Sequence, residues 1–211
     1  MKLAVLTNNL LQAELAAAAT RAGTEYIWLN SLADLNNHPD ADAVIDLLFE
    51  NGREETEQLK KFLPKPVIVN SVVKTLVEIN QPFIRINGWP GFLKREITEA
   101  SSCSEENKIE GEKIFSAIGK KMEWVPDIPG FISTRVIAMI INEAYFALEE
   151  KISTKAEIDI AMKLGTNYPF GPFEWADKIG LKNIYDLLNF LSRNEKRYMP
   201  ATLLIKEATG N

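Results

Sequence analysis

Short apolar runs alternate with helical stretches through the first hundred residues. Leu3-Ala-Val-Leu6, Tyr26-Ile-Trp-Leu29, Ala43-Val-Ile-Asp-Leu-Leu-Phe49, Val67-Ile-Val69 and Phe83-Ile-Arg-Ile86 read as five strands. Runs this continuously apolar belong to strands covered on both faces, which is the habit of a parallel sheet. The Ala- and Leu-rich stretch from Leu10 to Ala22 reads as a helix stopped at Gly23. Glu54 to Leu63 reads as a short helix halted by Pro64 and Pro66. Ser104-Glu-Glu is an N-cap with first-turn acids, opening a helix toward Gly119, and Met122 to Val125 fits one more strand.

The pattern changes at Pro126-Asp-Ile-Pro-Gly130, and everything beyond it has helical spacing. Thr134 to Glu150 is apolar on nearly every side, which predicts a helix buried all round, at the centre of a bundle or of a dimer interface. Within it Glu143 is expected to be buried and paired with Arg135. Thr154-Lys-Ala-Glu157 is a capping box for a helix ending near Gly165. Pro169-Phe-Gly-Pro172 is a rigid turn, followed by helical pieces at Phe173 to Asp177 and Asn183 to Asn194. The expected organisation is an α/β Rossmann-like parallel-sheet domain at 1–126 followed by an all-α domain at 127–211.

Composition narrows the chemistry. At 211 residues the chain holds roughly one to two domains of ~150 residues. The 24 basic and 29 acidic residues leave a net charge of −5, which argues against a nucleic-acid or anionic-membrane surface. One cysteine, Cys103, and one histidine, His38, leave no disulfide and no Cys/His metal cluster. His38 sits in the turn-forming run Asn36-Asn-His-Pro-Asp40, and Cys103 reads as inert. The start turns polar too early for a signal peptide and no apolar run approaches ~18 residues, so the expected setting is cytoplasmic.

The stretch Asp127-Ile-Pro-Gly-Phe-Ile-Ser-Thr-Arg135, then Asn142-Glu-Ala144, Glu157-Ile-Asp159, Ala161-Met-Lys163 and Tyr168-Pro-Phe-Gly-Pro-Phe-Glu174, with Asp177 and Gly180, resembles the C-terminal domain of 3-hydroxyacyl-CoA dehydrogenases. The resemblance implies a homodimerising helical domain, an acyl-CoA ligand, fatty-acid metabolism and NAD as cofactor. It also implies a substrate-contacting asparagine where this chain has Thr134.

The nucleotide-binding half departs further from the family pattern. Laid over the family's strand, G-x-G-x-x-G and helix, the three glycine positions are Thr7, Asn9 and Gln12, and the acidic ribose-binding position is Asn30. Those glycines serve the tight turn, the close approach of the diphosphate and helix–strand packing. The family's long insertion between the second and third strands is reduced here to Ser31–Asp42. The family's catalytic histidine falls at Asn87, with Glu99 at the position of its orienting acid. The substrate serine falls at Val72, or at Ser71 if the alignment slips by one residue. An amide cannot take the hydroxyl proton as hydride leaves. Three functions follow from these positions: a dehydrogenase with a rebuilt cofactor loop, a non-catalytic acyl-CoA or nucleotide-binding relative, and a purely structural dimerising module.

Overall fold

A computed structural model describes residues 1–17 and 22–210, and the chain divides into two compact units, Met1–Phe131 and Ile132–Asn211. In the first unit the apolar runs form strands β1 (Lys2–Leu6), β2 (Glu25–Leu29), β3 (Ala43–Asp46), β4 (Val67–Asn70) and β5 (Ile84–Ile86). Two more strands, β6 (Ile97–Ser101) and β7 (Lys121–Trp124), complete a seven-stranded sheet of order β2-β1-β3-β4-β5-β6-β7. All neighbours run parallel except β5 and β6, which pair antiparallel.

Helices cover both faces. On one side α1 (Asn9–Ala16) and α4 (Glu105–Ala117) bury Leu11, Leu15, Ile114 and Phe115 against Leu3, Val5, Ile45 and Ile84. On the other, α2 (Arg53–Lys60) and α3 (Leu76–Ile79) bury Leu59, Leu76 and Ile79 against Ala4, Val44 and Val69. The β2–β3 connection is short: a 3-10 turn at Leu32–Asn37, closed by the His38 N–H donating to the Leu35 carbonyl, does all the crossing. The expected first helix extends over residues 18–21, which lie outside the described residues, and Gly23 beyond them has φ +84°.

The third apolar run was expected to stay extended to Phe49, yet β3 stops at Asp46. The Asp46 carboxylate accepts the Leu48 N–H at 2.9 Å and bends the chain there. Burial inside β5 is unusual too. Arg85 is wholly buried, bonded through Nη1 to Asp127 Oδ1 at 2.8 Å and through Nη2 to the Ile128 carbonyl at 2.6 Å, with its guanidinium 4.1 Å from the Phe131 ring centroid. Burial pulls its pKa down to about 10 against the opposing field of Asp127, so it stays charged.

The second unit is helical: α5 (Ser133–Glu149), α6 (Lys155–Thr166), α7 (Pro172–Ile179), α8 (Leu181–Ser192) and α9 (Thr202–Thr209). Asn142 joins α5 to the segment before α9, its Nδ2 donating to the Met199 carbonyl and its Oδ1 accepting the Ala201 N–H, both at 2.9 Å. The long apolar helix is not enclosed on all sides within the chain. Ile137, Ala138, Ile141 and Tyr145 are buried, whereas Val136 is 53% exposed. Glu143 is also exposed, so it needs no buried partner, and Arg135 instead lies 5.3 Å from the Tyr198 ring centroid. The reason is geometric: apolar residues all round a helix do not say which stripe the rest of the chain covers. No helix among the described residues is long and apolar enough to cross a membrane.

Candidate functional site

Strand order reverses direction at β1, because the chain goes from β1 to β2 on one side and then returns to β3 on the other. In doubly wound sheets the crevice outside the carboxyl ends of two such strands is where ligands bind. Here those ends carry Thr7, Asn8 and Asn9 after β1, and Asp46 to Asn51 after β3.

The β1–α1 turn is filled and self-satisfied. Thr7 is buried, donates its N–H to the Leu29 carbonyl at 3.0 Å and turns its Oγ1 onto the Asn8 carbonyl at 3.1 Å. Asn8 caps α1: its Oδ1 accepts the Leu11 N–H at 3.0 Å and its carbonyl accepts the Gln12 N–H at 2.9 Å. Residues 7–12 contain no positive φ, so no position here adopts the conformation that glycine alone makes cheap. Asn9 and Asn30 are exposed and Gln12 is half-exposed. A dinucleotide diphosphate needs free helix-terminal N–H groups and room for close approach. Here the Leu11 N–H is bonded to Asn8, and positions 7, 9 and 12 all bear side chains.

At the other end of the crevice Asp46 is fully buried. One carboxylate oxygen takes the Leu48 N–H, while Oδ2 has no hydrogen-bond partner. Burial first, and the nearby Glu55 carboxylate second, push its pKa up to about 7. Burial raises Glu55 as well, although backbone N–H groups including those of Glu50 and Gly52 donate to it and lower it.

The second group lies where β4, β5 and β6 meet. Asn87, directly after β5, is buried and donates its backbone N–H to the Glu99 carbonyl at 3.0 Å. Its side-chain Nδ2 donates to Glu99 Oε2 at 2.9 Å, so the two positions picked from the sequence are brought together. Glu99 sits in the middle of β6. Burial lowers the Arg95 pKa, and Glu99 counters that shift.

Ser71 and Val72 follow β4. Ser71 donates Oγ to the Lys74 carbonyl at 2.9 Å, and the buried Val72 accepts the Gly130 N–H on its carbonyl at 2.8 Å. Thr134 is fully buried in the first turn of α5, in the second unit.

Residues that sequence reasoning passed over hold this edge. Asn70 Oδ1 accepts the Gly88 N–H at 2.9 Å and Nδ2 donates to the Leu47 carbonyl at 3.1 Å, bracing the ends of β3, β4 and β5 together. Position 88 must be glycine for this, since a Cβ there would lie 2.8 Å from Asn70 Cγ. Glu14 on α1 takes the Gly91 N–H on both oxygens at 2.8 Å, and Lys120 Nζ donates to the carbonyls of Leu93 and Arg95, so the loop between β5 and β6 is tied at both ends. The signals were single charges in apolar surroundings: Asp46 within its strand run, Arg85 within Phe83–Ile86, and Glu14 in the Leu- and Ala-rich helix.

The scaffold is a doubly wound α/β unit followed by an all-helical unit. Residues 130–209 match the family model for the 3-hydroxyacyl-CoA dehydrogenase C-terminal domain. The chain is 37% identical over 215 residues to human mitochondrial hydroxyacyl-coenzyme A dehydrogenase, covering 90% of this chain and 68% of that protein. It is 42% identical over 136 residues to 3-hydroxyadipyl-CoA dehydrogenase of Escherichia coli K12, covering 63% of this chain but only 28% of that protein. The fold superposes on the crystal structure of (S)-3-hydroxybutyryl-CoA dehydrogenase from Ralstonia eutropha with a TM-score of 0.75 at 19% identity, covering 99% of this chain and 93% of that one. The chain belongs to the 3-hydroxyacyl-CoA dehydrogenase family, and its first unit is Rossmann-like.

Proposed function

We propose that this chain keeps the family scaffold as a binding protein for an acyl-CoA thioester and does not turn over a nicotinamide cofactor. The observation that carries the reading is the 2.9 Å bond from Asn87 Nδ2 to Glu99 Oε2. Oxidising a secondary alcohol requires a group that accepts the hydroxyl proton near neutral pH. A carboxamide is neutral throughout that range, and here its N–H₂ is directed at the one carboxylate that would otherwise orient a base. The filled β1–α1 turn supports the same conclusion, because NAD, the cofactor the family resemblance brings, has no free phosphate-binding N–H group at Leu11.

In this reading residues 1–126 form the shortened nucleotide-type domain and residues 127–211 the substrate and dimerisation domain. Ser71 and Val72 are the substrate-side positions of the first unit, and Thr134 is that of the second. The open stripe of α5 around Val136, Met139 and Ile140, beside Arg197 and Tyr198, is the surface through which two copies pair as a cytoplasmic homodimer. Its mix of apolar centre and charged rim suits a symmetric contact.

The test combines thermal shift with an absorbance assay. Acetoacetyl-CoA or CoA should raise Tm, by the equivalent of about 2.7 kcal/mol at a hundred times Kd. NADH absorbance at 340 nm should stay constant in the presence of acetoacetyl-CoA. NADH-dependent reduction of acetoacetyl-CoA overturns the proposal.

A further inference from the structure

The β3–α2 turn holds a carboxyl group in a place where a charge has no support. Asp46 is fully buried at the end of β3, in register with Leu6 of β1 and Val69 of β4, both apolar. Its Oδ1 accepts the Leu48 N–H and its Oδ2 has no partner. The charged neighbour acting on it among the described residues is Glu55 of α2, a like charge, itself engaged by the backbone of the same turn through the N–H groups of Glu50 and Gly52. The turn between them is tight: Asn51 has φ +61°. An ionised carboxylate with one bare oxygen in an apolar wall, facing another carboxylate, is far costlier than its protonated form.

The turn is also wired to the site. The Leu47 carbonyl accepts Asn70 Nδ2, and Asn70 Oδ1 in turn accepts the Gly88 N–H, next to Asn87.

We propose that Asp46 is a proton-operated latch: protonated, it stays buried and holds the β3–α2 turn closed, and ionised, it draws the turn open and slackens the Asn70 brace beside Asn87. The inference does not depend on the acyl-CoA reading. Burial places the Asp46 transition near pH 7, above the ordinary 3.8. The folded protein therefore binds this proton more tightly than the unfolded chain. The stability it contributes is present in full below about pH 4, is lost as pH rises toward 7, and is level beyond that.

Three readouts on the whole chain test the latch. A ¹³C-carboxyl titration of the wild type should show an Asp46 midpoint near pH 7, and a midpoint in the ordinary range near ~4 overturns the proposal. From pH 5 to pH 8, wild-type Tm should fall by about 5–10 °C more than that of Asp46→Asn, which keeps the shape without the proton. Parallel changes in the two proteins overturn it. Hydrogen-exchange protection of the Leu48 amide and the Asn70 side-chain amide should drop about tenfold in wild type over that interval, as expected of a locally opening segment. Equal protection at both pH values means that Asp46 titrates without moving the turn, and it defeats the latch. If Asp46→Asn fails to fold, the titration and the wild-type protection still decide.

Discussion

Helix α1 and helix α7 begin in opposite ways. Helix α7 starts after Gly171, with Pro172 in its first turn, and its exposed N–H groups are served from a distance: Asp159 of α6 accepts the Phe173 N–H at 2.8 Å and the Glu174 N–H at 3.3 Å. A Cβ on Gly171 would lie 2.2 Å from Asp159 Oδ1, so the carboxylate occupies the space that glycine leaves. Helix α1 starts after Asn8 and is capped by Asn8 itself. Both ends satisfy the donors that every helix leaves unpaired. One does so by admitting an outside anion, the other by supplying its own acceptor. Where the backbone is left bare, something must come to it; where a capping side chain is present, the terminus has no further need of a ligand. The helical unit uses the first arrangement at α7, and the Rossmann-like unit uses the second at α1.

Closing the gap at Gly171 breaks the comparison most severely. Gly171→Ala should displace Asp159, strip two N–H groups of their acceptor and overpack the α6–α7 contact, at a cost of about 3 kcal/mol. Circular dichroism should show Tm lower by about 10 °C. An unchanged melt would mean that Asp159 does not hold α7. Removing the self-made cap is milder. Asn8→Ala should cost about 1 kcal/mol, and Asn8→Asp should retain most of the stability. Urea unfolding reads both variants, and an alanine protein as stable as wild type would show that the α1 terminus is satisfied by another group.

How far these features could be seen in the sequence depends on how local their causes are. The caps at Ser104 and Thr154 were legible because cap and helix are neighbours, and the structure places Ser104 Oγ on the Asn107 N–H and Thr154 Oγ1 on the Glu157 N–H. The apolar strands were legible because burial on both faces leaves an unbroken run. Strand β6 was not: Ile97 faces outward while Thr98 and Ser101 are buried, which inverts the usual signal. Helix α9 and the charges at Arg85 and Asp46 were missed for the opposite reason, that their meaning depends on partners or walls far along the chain. Arg85 finds its acid at Asp127, 42 residues on, and Asn70 finds Gly88 only because β4 and β5 lie side by side. The pairing of positions 87 and 99 was legible through the family resemblance, while the direction of its hydrogen bond required coordinates.

Isothermal titration of NADH into the wild-type protein, at millimolar ligand and with an active family dehydrogenase as a parallel control, tests the central claim most directly. The account predicts no saturable heat from a protein whose first helix caps itself and whose buried Asn87 amide donates to Glu99. A single-site isotherm with a micromolar Kd, lost in Asn8→Trp, would contradict it.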